Sequence, residues 1–169
     1  MKISIIVPFY NEETTILKVL DSLKKIDFGF DKEIILVDDG STDNSKKIIQ
    51  KYLIKNKTTR KFFKLISKKN EGKGSAVRNG INRSTGDIIT IQDADLEYNP
   101  EDLKKLTKIL INENCEVVYG SRFLKNHKPL YKIYFLGNKF LTFLTQILYG
   151  TKITDMETCY KMFRKKTIN

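Results

Sequence analysis

Ile88-Ile89-Thr90-Ile91-Gln92-Asp93-Ala94-Asp95 (IITIQDAD, residues 88–95) is the stretch on which the fold turns. A short, largely β-branched run stops abruptly at two carboxylates separated by one small residue. Two other runs have the same build. Ile3–Val7 ends at Pro8, and Glu33–Val37 ends at Asp38-Asp39. Continuous apolar runs of this length are strands covered on both faces, as in a parallel sheet. Phe62–Ser67 and Cys115–Tyr119 read as two more. Between them lie helical patterns at Glu12–Lys25, about 42–54, Gly74–Arg83 and about 100–111, where Pro100 marks the start. Strands alternating with helices at short intervals predict an open α/β sheet flanked by helices, with ligands beyond the carboxyl ends of the strands. The polar clusters fall at those ends: Pro8–Glu12, Asp38-Asp39, Asp93-Ala94-Asp95 and Gly120-Ser121-Arg122.

Length and composition agree with one domain. The chain has 169 residues, 40% apolar and 30% charged. Its net charge is +11, from 31 Lys+Arg against 20 Asp+Glu. Residues 121–169 carry 10 basic side chains against Asp155 and Glu157, a balance of +8, which leaves +3 for residues 1–120. A basic, aromatic-rich last third points to an anionic partner such as a membrane surface, nucleic acid or phosphate-bearing substrate. Cys115, Cys159 and His127 make neither a disulfide framework nor a zinc pattern, and a reducing, cytosolic setting is expected. His127 reads as a solvated surface residue. The apolar run before Pro8 is too short for a signal-peptide core, and no run reaches the ~18–20 residues of a spanning helix.

Each cluster admits a functional and a plainer reading. Asp93 and Asp95 can share a hard divalent cation with diphosphate oxygens and water, or can form a solvated turn. Asp38-Asp39 can accept hydrogen bonds from a nucleobase or ribose, or can cap the next helix; Asp43 suits capping. Asn70-Glu71-Gly72-Lys73-Gly74-Ser75 is neither a P-loop nor a dinucleotide fingerprint; it is an anion-binding helix start or an ordinary helix entry. Arg122 can clamp a phosphate or lie on the surface. At 100° per residue, Tyr131–Tyr149 puts Lys132, Asn138, Lys139, Thr142, Thr145 and Gln146 in one arc of about 140°. Most of its Phe, Leu and Ile residues lie opposite, as in an interfacial helix or in a core or oligomer-interface helix. Lys125, Lys128, Lys132 and Lys139 favour the lipid reading.

Taken together, the chain resembles the family-2 glycosyltransferases of GT-A fold, and among them the dolichyl- and polyprenyl-phosphate sugar synthases. Val7–Glu12, Asp38–Asp43, Asn70–Gly74, Asp93–Glu97, Gly120–Arg122 and Thr154–Lys161 carry the resemblance, in family order and over nearly the whole chain. It implies a mostly parallel sheet, with residues 1–120 as the nucleotide-sugar half and 121–169 as the acceptor and membrane-interface segment. It implies that Pro8, Tyr10, Glu12, Val37 and Asp39 meet the base and ribose, and that Asp93 and Asp95, with the Ala94 backbone, hold a metal–diphosphate. Glu97 stands where relatives often have glutamine and is a further candidate metal ligand. Arg122 is implied near a donor or acceptor phosphate, and Lys161 and Arg164 near phosphates too. Thr158-Cys159-Tyr160 departs from the Ser-Gly-Phe of several relatives.

The implied chemistry is inverting transfer, with Mg²⁺ or Mn²⁺, from a nucleotide sugar to a polyprenyl or dolichyl phosphate. A phosphate acceptor is already ionised near pH 7; a hydroxyl acceptor would need a base, for which Asp155 or Glu157 are the candidates. The enzyme is expected to be peripheral, at the cytoplasmic face of a membrane, with room for a homo-oligomer or a membrane-spanning partner. No nucleic-acid partner is expected. Many relatives continue past the equivalent of Asn169, so the chain is either a minimal form or a piece of a longer enzyme. The rival readings are transfer to a glycan, protein or small-molecule hydroxyl, nucleotidyl transfer, and a non-catalytic basic module that binds membrane or nucleic acid.

Overall fold

The three apolar runs become neighbours. In a computed structural model that describes residues 1–55, 60–124 and 132–168, β1 (Lys2–Phe9) pairs in parallel with β2 (Asp31–Asp38). β3 (Phe63–Ser67) adds in parallel outside β2, and β4 (Ile88–Ile91) in parallel on the other flank of β1. β5 (Val117–Tyr119) does not touch β4. A sixth strand, β6 (Lys161–Arg164), lies between them and runs antiparallel to both, giving the order β3-β2-β1-β4-β6-β5. This strand is absent from the sequence reading. Lys161-Met162-Phe163-Arg164 is short and flanked by charge, and its strand character comes from pairing with β4 and β5 rather than from its own pattern.

Helices α1 (Ile16–Lys25), α2 (Ser45–Lys55), α3 (Lys73–Asn82), α4 (Asp102–Asn112) and α5 (Lys132–Tyr149) complete the described chain. Side chains alternate across each strand, so β1 feeds two cores. Ile3, Ile5, Val7 and Phe9 join Ile16, Leu20, Leu23, Ile49, Leu103 and Leu110 in the larger one. Ile6 points the other way, with Ile35, Val37, Ala76 and Ile89, into a smaller core beneath α3. That helix rides close to the sheet because residue 80 is glycine: a Cβ there would stand 2.5 Å from a methyl carbon of Ile6.

Basic side chains close several helix ends. Lys32 Nζ donates to the carbonyls of Leu23, Lys24 and Ile26 at the end of α1. Arg164 Nε donates to the Cys115 carbonyl just past α4, and Lys165 Nζ to that of Ser84 just past α3. The direction of β6 decides this. Lys161 pairs with Tyr119 at the carboxyl end of β5, whereas Arg164 pairs with Ile88 at the amino end of β4. Arg164 therefore sits at the sheet edge opposite the acidic rim and is not a phosphate ligand there.

The same far edge holds a buried carboxylate, Glu33. It accepts from Lys2 Nζ (3.0 Å), Lys64 Nζ (2.8 Å), Ser4 Oγ (2.6 Å) and the Thr85 N–H (2.6 Å). Burial opposes its charge, but these bonds outweigh it and hold the carboxyl far below the usual glutamate range. Glu33→Gln is expected to cost about 2 kcal/mol at neutral pH in urea denaturation. Glu33's contribution is complete above the ~4.3 of an unfolded glutamate and fades as the pH falls below it, so the gap between variant and parent narrows in acid. A gap that stays constant down to about pH 3 would overturn this assignment.

Candidate active site

The carboxyl ends of β1, β2, β4 and β5 and the start of β6 share one rim. Two loops there are laced into a platform. Asn11, at φ 57°, donates its N–H to Ser41 Oγ and accepts from the Thr42 N–H at 2.8 Å through its side-chain oxygen. The Glu12 N–H donates to Ser45 Oγ, the Glu13 N–H to Asp43, and the Asn44 N–H back to Glu13. Asp43 also accepts from the Ser45 N–H at the start of α2, in the capping role read from sequence. Tyr10 is exposed on this platform, and Glu12 is half-buried with its carboxylate on Thr15 Oγ1.

Asp39 is buried and holds the neighbouring loop. Its carboxylate accepts from Lys68 Nζ (2.7 Å) and from the backbone N–H groups of Glu71 (3.2 Å) and Gly72 (2.8 Å). Burial is again outweighed by these partners, and the Asp39 pKa is lowered. The loop so pinned delivers Lys73, the first residue of α3, whose Nζ lies 2.6 Å from Asp93 Oδ1. Burial works against the Lys73 charge, but the hydrogen bond to Asp93 and the charges of Asp93 and Asp95 raise its pKa. Asp93 is 13% exposed and Asp95 is open to solvent, with Oδ1 accepting from the Glu97 N–H across a turn in which Leu96 has φ 68°. Ala94 packs in the larger core and Glu97 is exposed.

Because β6 enters from this rim, the segment before it lines the site's other side. Tyr160 donates its buried hydroxyl to Gln92 Oε1 at 2.9 Å, tying the start of β6 to the end of β4. Tyr98 accepts from the Cys159 N–H, and its ring lies 4.8 Å from that of Tyr160. Burial, then the Asp93 carboxylate, push the Cys159 thiol up, so it is no thiolate at neutral pH. Lys161 donates to the Thr158 carbonyl and lies over the Tyr119 ring; burial lowers its pKa. Arg122 and Asp155 form a two-pronged pair, Nε to Oδ2 at 2.8 Å and Nη2 to Oδ1 at 2.9 Å. The Arg122 N–H adds a third bond to the same carboxylate.

Helix α5 has its polarity inverted relative to an ordinary surface helix. Thr142 is buried and accepts from the Met156 N–H, and Gln146 donates to the Ile153 carbonyl. Leu136, Phe140, Phe143, Ile147 and Leu148 are all more than half exposed. Lys139 lies over the rings of Phe123 and Phe135. Lys125, His127 and Lys128 lie outside the described residues, as does the side chain of Lys132. No helix among the described residues is long and apolar enough to cross a membrane.

The rim thus gathers Tyr10, Glu12, Asp39, Asp93, Asp95, Glu97, Arg122 and Lys161. Two of the expected residues are enclosed by the protein. Val37 is fully buried beneath α3, so only its backbone is offered to a ligand, and Pro8 beside it is buried as well. Asp155 is fully buried and its carboxylate is committed to Arg122; burial opposes its charge, Arg122 outweighs it, and the lowered pKa makes a poor base. Its carboxylate holds Arg122 through three hydrogen bonds. Lys68, Lys73, Gln92, Tyr98 and Tyr160 went unread as a set because strand order, not sequence spacing, brings them together. The carboxylates suit a hard divalent cation, and the ammonium already drawn to Asp93 shows that the spot attracts positive charge. Among the described residues, no group of three or more His, Cys, Asp or Glu is placed to hold a metal.

Comparison with known proteins agrees with this geometry. The family model described as Glycosyl transferase family 2 matches residues 4–169. A UDP-N-acetylglucosamine–dolichyl-phosphate N-acetylglucosaminyltransferase of Methanococcus voltae is 33% identical, over 98% of this chain and 70% of its own. Glucosyl-3-phosphoglycerate synthase from Mycobacterium tuberculosis superposes with a TM-score of 0.70 at 23% identity, over 98% of this chain and 57% of that one. A mannosyltransferase from Pyrobaculum calidifontis, solved with GDP-Man and Mn²⁺, gives a TM-score of 0.61 at 25% identity, over 70% of this chain and 35% of that one. The fold is the GT-A fold. The chain spans between 32% and 70% of the length of the first curated relatives it matches.

Asp155→Asn leaves Arg122 without its counter-charge. With Arg122 28% exposed, the expected loss is about 2 kcal/mol, below that for a fully buried pair. Urea denaturation measures it, and a loss under about 0.5 kcal/mol would class the pair with ordinary surface ion pairs.

Proposed function

The chain belongs to glycosyl transferase family 2, and on that premise we propose that it transfers a sugar, with inversion, from a UDP- or GDP-sugar to a polyprenyl or dolichyl phosphate. The observation that carries this reading is the rim itself, where Asp93 and Asp95 stand among Lys73, Arg122 and Lys161. The name of the Methanococcus relative supports the lipid-phosphate acceptor.

Tyr10 and Glu12, the Pro8 and Val37 backbone and Asp39 receive the base and ribose. Asp93 and Asp95, with the Ala94 backbone, would hold Mg²⁺ or Mn²⁺ against the diphosphate; Glu97 does not close a three-carboxylate cluster with them. When bound, that cation supplies charge stabilisation to the departing nucleoside diphosphate. Arg122 and Lys161 hold phosphate oxygens; Asp155 keeps Arg122 in one orientation while leaving the rest of its guanidinium available. A bond forms between an acceptor phosphate oxygen and the anomeric carbon as the bond to the donor's diphosphate oxygen breaks, and the leaving diphosphate takes the electron pair. The acceptor phosphate is already anionic, so no general base is required, which accords with the commitment of Asp155 to Arg122.

The outward face of α5 lies on the membrane, with Leu136, Phe140, Phe143, Ile147 and Leu148 among the acyl chains and Lys139 nearer the headgroups. The protein works as a peripheral enzyme at the cytoplasmic face.

Asp95→Asn is expected to lower transfer at least about a hundredfold, with little change in melting temperature because Asp95 is exposed. Assays with UDP- and GDP-sugars and Mn²⁺, on polyprenyl phosphate against soluble sugars, read this directly; preference for soluble sugars would replace the acceptor. Phe140→Ser with Leu148→Ser is expected to abolish co-flotation with anionic liposomes while leaving thermal stabilisation by nucleotide and Mn²⁺ intact. Unchanged flotation would remove α5 from the membrane.

A further inference from the structure

Lys73 is the cation that the fold places on Asp93. Its ammonium lies 2.6 Å from Asp93 Oδ1, on a carboxylate otherwise 13% exposed, while its own side chain is 61% exposed. The lysine thus reaches in from solvent to one oxygen of a mostly covered carboxylate. Its backbone is held on a short tether. Asp39 accepts the N–H groups of Glu71 and Gly72, and Lys68 Nζ bonds both Asp39 and Glu71. Gly72, at φ 88°, then turns the chain directly into α3. No residue beyond Lys73 itself has to move for its ammonium to leave Asp93, because the side chain is long and mostly solvated.

A divalent ion on Asp93 and an ammonium on the same oxygen exclude each other by charge and by space. A diphosphate removes the conflict, because its oxygens offer the displaced ammonium a new partner beside the start of α3. We propose that Lys73 is a resident counter-cation that holds Asp93 in the donor-free enzyme and passes to the diphosphate when the metal binds, so that metal and donor bind cooperatively. The inference rests on the family reading of Asp93 and Asp95 as the metal ligands. It adds that this chain resists the metal alone and accepts it with the donor, which limits idle metal loading.

The test uses the full chain and reads binding rather than turnover. Mn²⁺ is titrated and followed by the EPR signal of the free ion, with and without UDP or GDP, for the parent, Lys73→Met and Lys73→Arg. In the parent, nucleoside diphosphate should tighten Mn²⁺ binding roughly tenfold or more. Lys73→Met, which keeps length and loses charge, should bind Mn²⁺ roughly five- to tenfold more tightly without nucleotide, and its coupling should shrink by the same factor, leaving the part that the diphosphate's own oxygens supply. Lys73→Arg should retain the coupling. Equal Mn²⁺ affinity in the parent and Lys73→Met without nucleotide, or undiminished coupling in Lys73→Met, overturns the role of Lys73 and leaves the metal site standing. Absence of Mn²⁺ binding in the parent with either nucleotide overturns the metal site and the Lys73 proposal together.

Discussion

The insertion of β6 between β4 and β5, against the direction of both, is the constraint on which the site depends. A parallel strand at that position would send residues 154–160 to the opposite edge of the sheet. Running antiparallel, it brings Asp155, Tyr160 and Lys161 to the carboxyl ends of β4 and β5, facing Asp93 and Arg122. The strand is short and is held from both sides: by ladder pairing with β4 and β5, by the Tyr160–Gln92 bond, and by the Tyr98–Cys159 bond. One orientation of one four-residue strand thus decides which side chains can act together.

Charge in this molecule is distributed by geometry rather than by chain segment. The last third looked like a uniformly basic surface, yet several of its cations are engaged with other parts of the protein. Arg122 is paired to Asp155, Arg164 and Lys165 close the ends of α4 and α3, and Lys166 meets Glu116. The +8 of residues 121–169 is therefore not all on one face: Arg164 and Lys165 lie at the sheet edge opposite the rim. Conversely, the acidic rim is less bare than its sequence implies, since Asp39 and Asp93 each hold a lysine.

Helix α5 links the two halves of the reading. Its polar arc bonds the backbone of Ile153 and Met156, next to the buried Asp155 that orients Arg122. Its apolar arc is turned away from the protein. An ordinary surface helix would bury that face and expose the polar one. Thr142 and Gln146 are satisfied by backbone groups and stay inside without cost, so the apolar side chains are left outward.

Much was legible from the chain alone, and for stated reasons. The buried strands β1, β2 and β4 showed as apolar runs because burial on both faces leaves no room for polar residues. The rim showed because such strands end where their apolar runs end, at Pro8, Asp38 and Asp93. The amphipathic pattern of α5 was visible on a helical wheel, although which arc faced the protein was not. The ordered motifs implied the family. What only the tertiary structure decided concerns partners distant in sequence: that Asp155 serves Arg122, that Val37 is core, that Arg164 lies at the far edge, and that Lys73 sits on Asp93. Local pattern records how deeply a residue is buried. Strand order and direction determine whom it meets, and for β6 they were set by its neighbours β4 and β5.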